Sequence, residues 1–166
     1  MSDSPRQATG ISRAEFVQLL RVLSVPFAAS LVFFLITPAA SQPMRRSSAE
    51  VRQQVIGIVE SQFKAFRDGD YARAYSLAAA GLQQEFTVAA FERMVKDGYP
   101  IIANWRAVSF GQVEDNGREA VMLLTVQGRG GRTRFFRYQL VREADGWRIS
   151  GVIEVQLTPE AQGQVA

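Results

Sequence analysis

Phe91-Glu92-Arg93-Met94-Val95-Lys96-Asp97-Gly98-Tyr99-Pro100 is the stretch on which the fold turns. Up to Gly98 the apolar residues keep helical spacing. Val88, Phe91, Met94 and Val95 share one face behind Thr87, a good N-cap. Gly98 suits a helix terminus, and Pro100 is read as barring continuation. Beyond it the apolar period shortens to two. Four runs alternate, at residues 101–113, 118–127, 132–142 and 147–157. Asn116-Gly117 and Asp145-Gly146 between them are hairpin signals, and Gly128-Arg129-Gly130-Gly131 is a looser loop. Neighbouring runs therefore pair into an antiparallel meander of four strands.

Two more helices precede the turning point. Val51, Val55, Ile58, Val59, Phe63 and Phe66 recur at spacings of three and four, a broad apolar stripe opened by Ser47 or Ser48. Gly69 fits the left-handed terminating position, and Asp70 can cap a second helix over residues 71–80 that Gly81 stops. Residues 82–86 read as a connector with one tight turn.

Strand parity assigns the faces. Phe136, Tyr138 and Leu140 share one side of the third strand, and Trp147, Ile149 and Ile153 one side of the fourth. Arg137 and Gln139, then Arg148, Ser150 and Glu154, take the opposite sides. The second strand is apolar on both, with Ala120, Met122, Leu124 and Val126 against Val121 and Leu123, so both of its faces call for cover.

Residues 22–44 carry no charge and follow Arg6, Arg13 and Arg21. A positive start, an apolar stretch and small residues, with Ala39 and Ser41 at the −3 and −1 places, read as an export signal over residues 1–41. An uncleaved membrane anchor is the competing reading, and either leaves the following domain outside the cytoplasm, in a periplasm. Residues 42–48 are then a linker, 49–157 the domain and 158–166 a tail.

Composition removes whole classes of chemistry. With no Cys and no His, disulfides, thiolate zinc sites, cysteine nucleophiles, His-based triads and His-ligated metals are absent. Beyond residue 41 there are 16 basic and 14 acidic side chains, mostly interspersed, which is not a nucleic-acid footprint.

The strings Phe63-Lys64-Ala65-Phe66-Arg67-Asp68-Gly69-Asp70 with Tyr71-Ala72-Arg73-Ala74-Tyr75, Met94-Val95-Lys96-Asp97-Gly98-Tyr99-Pro100, and Asp145-Gly146-Trp147-Arg148-Ile149 resemble a bacterial family called domain of unknown function 4864. The wider organisation resembles the nuclear transport factor 2-like cone of the cystatin-like group. That resemblance implies an α+β fold with three N-terminal helices on the concave face of a curved four-stranded meander. It also implies a pocket between helices and sheet, and supplies no reaction.

Within such a pocket Tyr71, Tyr75, Tyr99, Trp105 and Tyr138 are the ligand-binding candidates, although aromatics at these spacings are more often simple packing. Tyr99, fixed between a helix-ending glycine and a proline, either aims its hydroxyl at the cavity mouth or wedges the third helix on the sheet. Arg129, Arg132 and Arg134 surround the glycines of one hairpin and are anion-binding candidates, or simply a soluble tip. Among the acids, Glu154 faces outward by parity, Asp70 and Asp97 look like caps or surface groups, and Glu85 alone has a chance of pointing inward.

The functional expectation is an exported, non-catalytic module that binds a small apolar ligand or an envelope partner, with no cofactor, metal or nucleic acid. The alternatives are a lyase or isomerase using a buried carboxylate, with Tyr99 as donor, and a homodimeric scaffold pairing through the outer sheet face.

Overall fold

The computed structural model describes residues 42–156. The export segment at 1–41 and the tail at 158–166 lie outside the described residues. The chain begins with β1 (Arg45–Arg46), followed by α1 (Ala49–Asp68), α2 (Tyr71–Ser76), α3 (Ala80–Glu85), α4 (Val88–Gly98) and α5 (Pro100–Ala103). The remaining elements are β2 (Trp105–Asp115), β3 (Glu119–Gly128), β4 (Thr133–Glu143) and β5 (Gly146–Val155). Helices come first and an antiparallel meander follows, in the order β1-β2-β3-β4-β5. The expected α+β architecture is present, with five strands instead of four. The extra strand falls in the supposed linker. Arg45 pairs with Asp115 and Arg46 with Glu114, so opposite charges across the ladder favour the register.

The helix boundaries follow local chemistry. Ser48 Oγ accepts from the Val51 amide (3.2 Å), Asp70 from Arg73 (2.9 Å) and Thr87 from Ala90 (3.2 Å). Gly69 closes α1 at φ 72°, a left-handed conformation in which its N–H reaches the carbonyls of Ala65 and Phe66.

Two expected boundaries moved because tertiary bonding won. The second helix stops at Ser76, not near residue 80. The Ile149 amide donates to Leu77 O (3.0 Å) and the Ala79 amide to Ile149 O (2.8 Å), so this segment lies along the edge of β5. The expected connector is α3, with Gly81 inside it, and its first amide, Ala80, donates to the Glu143 carboxylate (2.9 Å). Pro100 does not open a strand either. It occupies the first turn of α5, where a missing N–H costs nothing, and β2 starts only at Trp105.

The helix-facing side of the sheet carries Ala120, Met122, Leu124, Val126, Phe136, Tyr138, Leu140, Trp147 and Ile149, all buried against Val55, Val59, Phe63 and Phe66 of α1. Each large side chain so buried contributes roughly 1.5–3 kcal/mol. On the other side Val121 and Leu123 are half-buried.

One parity assignment is overturned. Leu140 pairs with Ile149, but Gln139 pairs with Gly151, so Ser150 is an extra residue in β5. A one-residue bulge exchanges the faces of everything beyond it. Val152 now stands opposite Tyr138 and Glu154 opposite Phe136, both on the helix-facing side, while Ile153 pairs with Arg137 on the outer side. A second shift, between Phe110 and Val113 in β2, brings Val113 opposite Met122 and into the core.

Gln62 is a polar side chain buried in this core, 3% exposed. Its amide nitrogen reaches Ala74 O only at 3.5 Å, and its carbonyl oxygen finds no partner among the described residues. An unsatisfied buried polar atom costs about 1–3 kcal/mol. Gln62→Met, of similar shape, is therefore expected to raise the midpoint of thermal unfolding, and a lowered midpoint would show that the amide stabilises the core.

Candidate functional site

The end of the sheet where β2 begins and β3 ends gathers most of the chemically interesting side chains. Gly128 is needed there because a β-carbon on it would stand 2.8 Å from Ile101 Cγ1, so α5 lies directly on β3. The Arg129 amide donates to Asn104 O (3.2 Å), tying the β3–β4 loop to the end of α5. Trp105 pairs with Gly128. Its indole N–H donates to Phe63 O (2.9 Å), its ring meets Phe63 edge-on at 5.5 Å, and the Arg67 guanidinium sits 3.7 Å from its centroid.

Tyr99 is positioned by the turn between α4 and α5. Its hydroxyl donates to Val152 O (3.0 Å) across the sheet, and its ring lies 6.3 Å from Phe136. The Val152 side chain shares the side of Tyr138 and Phe136. Two residues on, Glu154 stands opposite Phe136 and its Oε1 lies 3.4 Å from Arg134 Nε. The pair is accessible, with the Arg134 side chain 53% and the Glu154 side chain 26% exposed, whereas Phe136 is 0% exposed. A charged pair and a phenol thus stand at the edge of an aromatic floor.

The five aromatic candidates divide into two groups. Tyr99, Trp105 and Tyr138 gather around Phe63 and Phe136, Tyr138 lying 5.9 Å from Phe63. Tyr138 is fully buried. Burial pushes its phenol well above the ordinary range and the neighbouring Tyr99 adds to the rise, so it is a neutral group at any working pH. Tyr71 and Tyr75 belong instead with Phe66 and Phe91 under α4. Lys96 lies over the Tyr71 ring at 4.9 Å, and the Tyr75 hydroxyl is engaged with Gln83 O (2.7 Å) and Phe86 O (2.6 Å). Phe63 and Phe66, 6.3 Å apart, join the groups.

Of the arginine candidates, Arg129 and Arg132 are exposed on the loop, which closes through the Gly128 amide to Arg132 O (2.9 Å). Arg134 is drawn to Glu154. Glu85 is exposed on α3 and does not enter the group.

Sequence reading missed Arg67 and Arg106 and put Glu154 on the wrong face. Arg67 comes from a distant helix, and Arg106 sits in the register shift between Trp105 and Ala107. For Glu154 a signal existed, since a glycine inside a strand, Gly151, often marks a bulge. Among the described residues no group of His, Cys, Asp or Glu could hold a metal ion, and no helix is long and apolar enough to cross a membrane.

Residues 48–162 match the family model described as domain of unknown function (DUF4864). A search of the curated proteins returned no match. Two solved structures are similar. One, from Nostoc punctiforme, is described as a domain of unknown function with a cystatin-like fold; it is 15% identical, with a TM-score of 0.49 over 70% of this chain and 84% of that one. The other, from Novosphingobium aromaticivorans, is described as an NTF2-like protein with a cystatin-like fold; it is 18% identical, with a TM-score of 0.47 over 70% of this chain and 90% of that one.

Trp105 holds α1, α5 and β3 together at this end. Trp105→Phe removes the bond to Phe63 O and weakens the seat of Arg67, so a loss of about 1–2 kcal/mol is expected in urea unfolding. An unchanged midpoint would mean that neither contact stabilises the fold.

Proposed function

The chain belongs to the DUF4864 family, and we propose that its role is binding: a non-catalytic module that takes a small ligand with an apolar body and one polar end, or an envelope partner presenting such a group. The recognition groups are Tyr99, Arg134 and Glu154. The observation that carries the reading is the Ser150 bulge, which turns Glu154 to the helix-facing side opposite Phe136. The carboxylate accepts, the guanidinium donates and the Tyr99 oxygen, its proton engaged by Val152 O, accepts. A hydroxyl or amine on the ligand competes for an ion pair that is already part-solvated, a modest cost because exposed pairs contribute little on their own. The aromatic floor below is held by ring contacts and stays in place when a ligand arrives. The leader at residues 1–41 delivers this domain across the inner membrane, so the ligand or partner is an envelope component.

Native mass spectrometry of the purified 166-residue chain tests the proposal. Wild type is expected to retain a small-molecule adduct, with occupancy reduced about tenfold in Glu154→Gln and less in Tyr99→Phe, both variants keeping the wild-type circular dichroism. Equal adducts on all three proteins, or none on wild type, would contradict it. An adduct that wild type converts to a different mass, and Glu154→Gln does not, would make the domain an enzyme.

A further inference from the structure

Four arginines from three separate segments sit at or beside the Trp105–Gly128 pair, one through its side chain and three through their backbone positions. Arg67 of α1 covers the Trp105 ring. Arg106 is the residue beside Trp105 where the β2–β3 register shifts. Arg129 follows Gly128, and Arg132 closes the loop onto the Gly128 amide. All four are exposed. Arg129 and Arg132 make no side-chain ion pair among the described residues.

The acids nearby already have cations of their own. Glu154 faces Arg134, and Asp68 bonds Lys64 at 2.6 Å, which holds its carboxyl below the usual carboxylate range. Asp68 also feels the Arg67 charge, whereas Arg129 and Arg132 are matched by no carboxylate ion pair among the described residues. The loop is also well placed for a ligand to approach. Gly130 and Gly131 bear no side chains, Gly131 has φ 78°, and the loop is anchored at both ends by the Arg129–Asn104 and Gly128–Arg132 bonds. Arg45 and Arg46 pair with Asp115 and Glu114 at the other end of β2, away from this surface.

We propose that this arginine group is a second binding site, distinct from the Tyr99–Arg134–Glu154 group, and that it takes a soluble anion carrying two or more phosphate groups. Guanidinium forks match phosphate oxygens in pairs, and four of them suit a ligand with more than one phosphate better than a single carboxylate. The Arg67–Trp105 stack fixes one guanidinium beforehand, which reduces the ordering required on binding.

Isothermal titration calorimetry of the full chain with sodium tripolyphosphate tests this. Binding is expected to weaken about tenfold in the double variant Arg129→Gln/Arg132→Gln and to fall as NaCl is raised, as contacts between exposed charges do. The charge-matched variant Arg52→Gln/Arg118→Gln, which lies outside the group, is expected to bind as wild type does. No binding by wild type, or equal weakening in both variants, would overturn the proposal. So would citrate binding as tightly as tripolyphosphate. Cosedimentation with vesicles containing anionic phospholipid, in the absence of any tripolyphosphate binding, would assign the surface to a membrane instead. The adduct measurement with Glu154→Gln is unaffected by any of these outcomes, so the two readings stand or fall separately.

Discussion

One extra residue in one strand sets the layout of the functional end of this domain. Without the bulge at Ser150, alternation along β5 would send Ile153 toward the helices and Glu154 toward the outer face. With it, Val152 comes opposite Tyr138 and Glu154 comes opposite Phe136 beside Arg134. Gly151 makes room at the next position. A β-carbon there would stand 3.0 Å from the Gln139 amide oxygen, which lies over the gap. A local backbone irregularity thus places a charged group where regular alternation would place an aliphatic one.

The rest of the fold supplies the floor beneath that group. Helix α1 lays Val55, Val59, Phe63 and Phe66 across the sheet, and Phe63 touches Trp105, Tyr138 and Phe66. Because Trp105 also bonds Phe63 O and seats Arg67, the same helix positions both the aromatic floor and one arginine of the exposed cluster. The β3–β4 loop is fastened to α5 only because Gly128 lets Ile101 approach. Packing and recognition at this end therefore share side chains, and the tyrosines and tryptophan that looked like pocket lining are partly structural.

Much of this was legible in the sequence where the cause is local. Ser48, Asp70 and Thr87 cap helices by reaching amides three residues away, Gly69 ends one, and Asn116-Gly117 turns a hairpin. The change of period placed the passage from helices to the main strands near Pro100, although α5 delays β2 to Trp105. What was not legible depends on contacts distant in sequence. Arg45 and Arg46 form a strand only because Asp115 and Glu114 pair with them. The α2 helix is cut short by Ile149, and α3 is capped by Glu143. At the site, Tyr99 and the three hairpin arginines were visible from their neighbours, whereas Glu154 was assigned to the wrong face for want of one bulge, and Arg67 enters through a helix far from Trp105 in sequence.

The face reversal in β5 can be read directly from nuclear Overhauser contacts in the folded chain. The account requires the Val152 methyls to contact the rings of Tyr99 and Tyr138, and the Ile153 methyls to contact neither. Contacts from Ile153 to the Tyr138 ring, with Val152 silent, would place Glu154 on the outer face and remove the foundation of the proposed site.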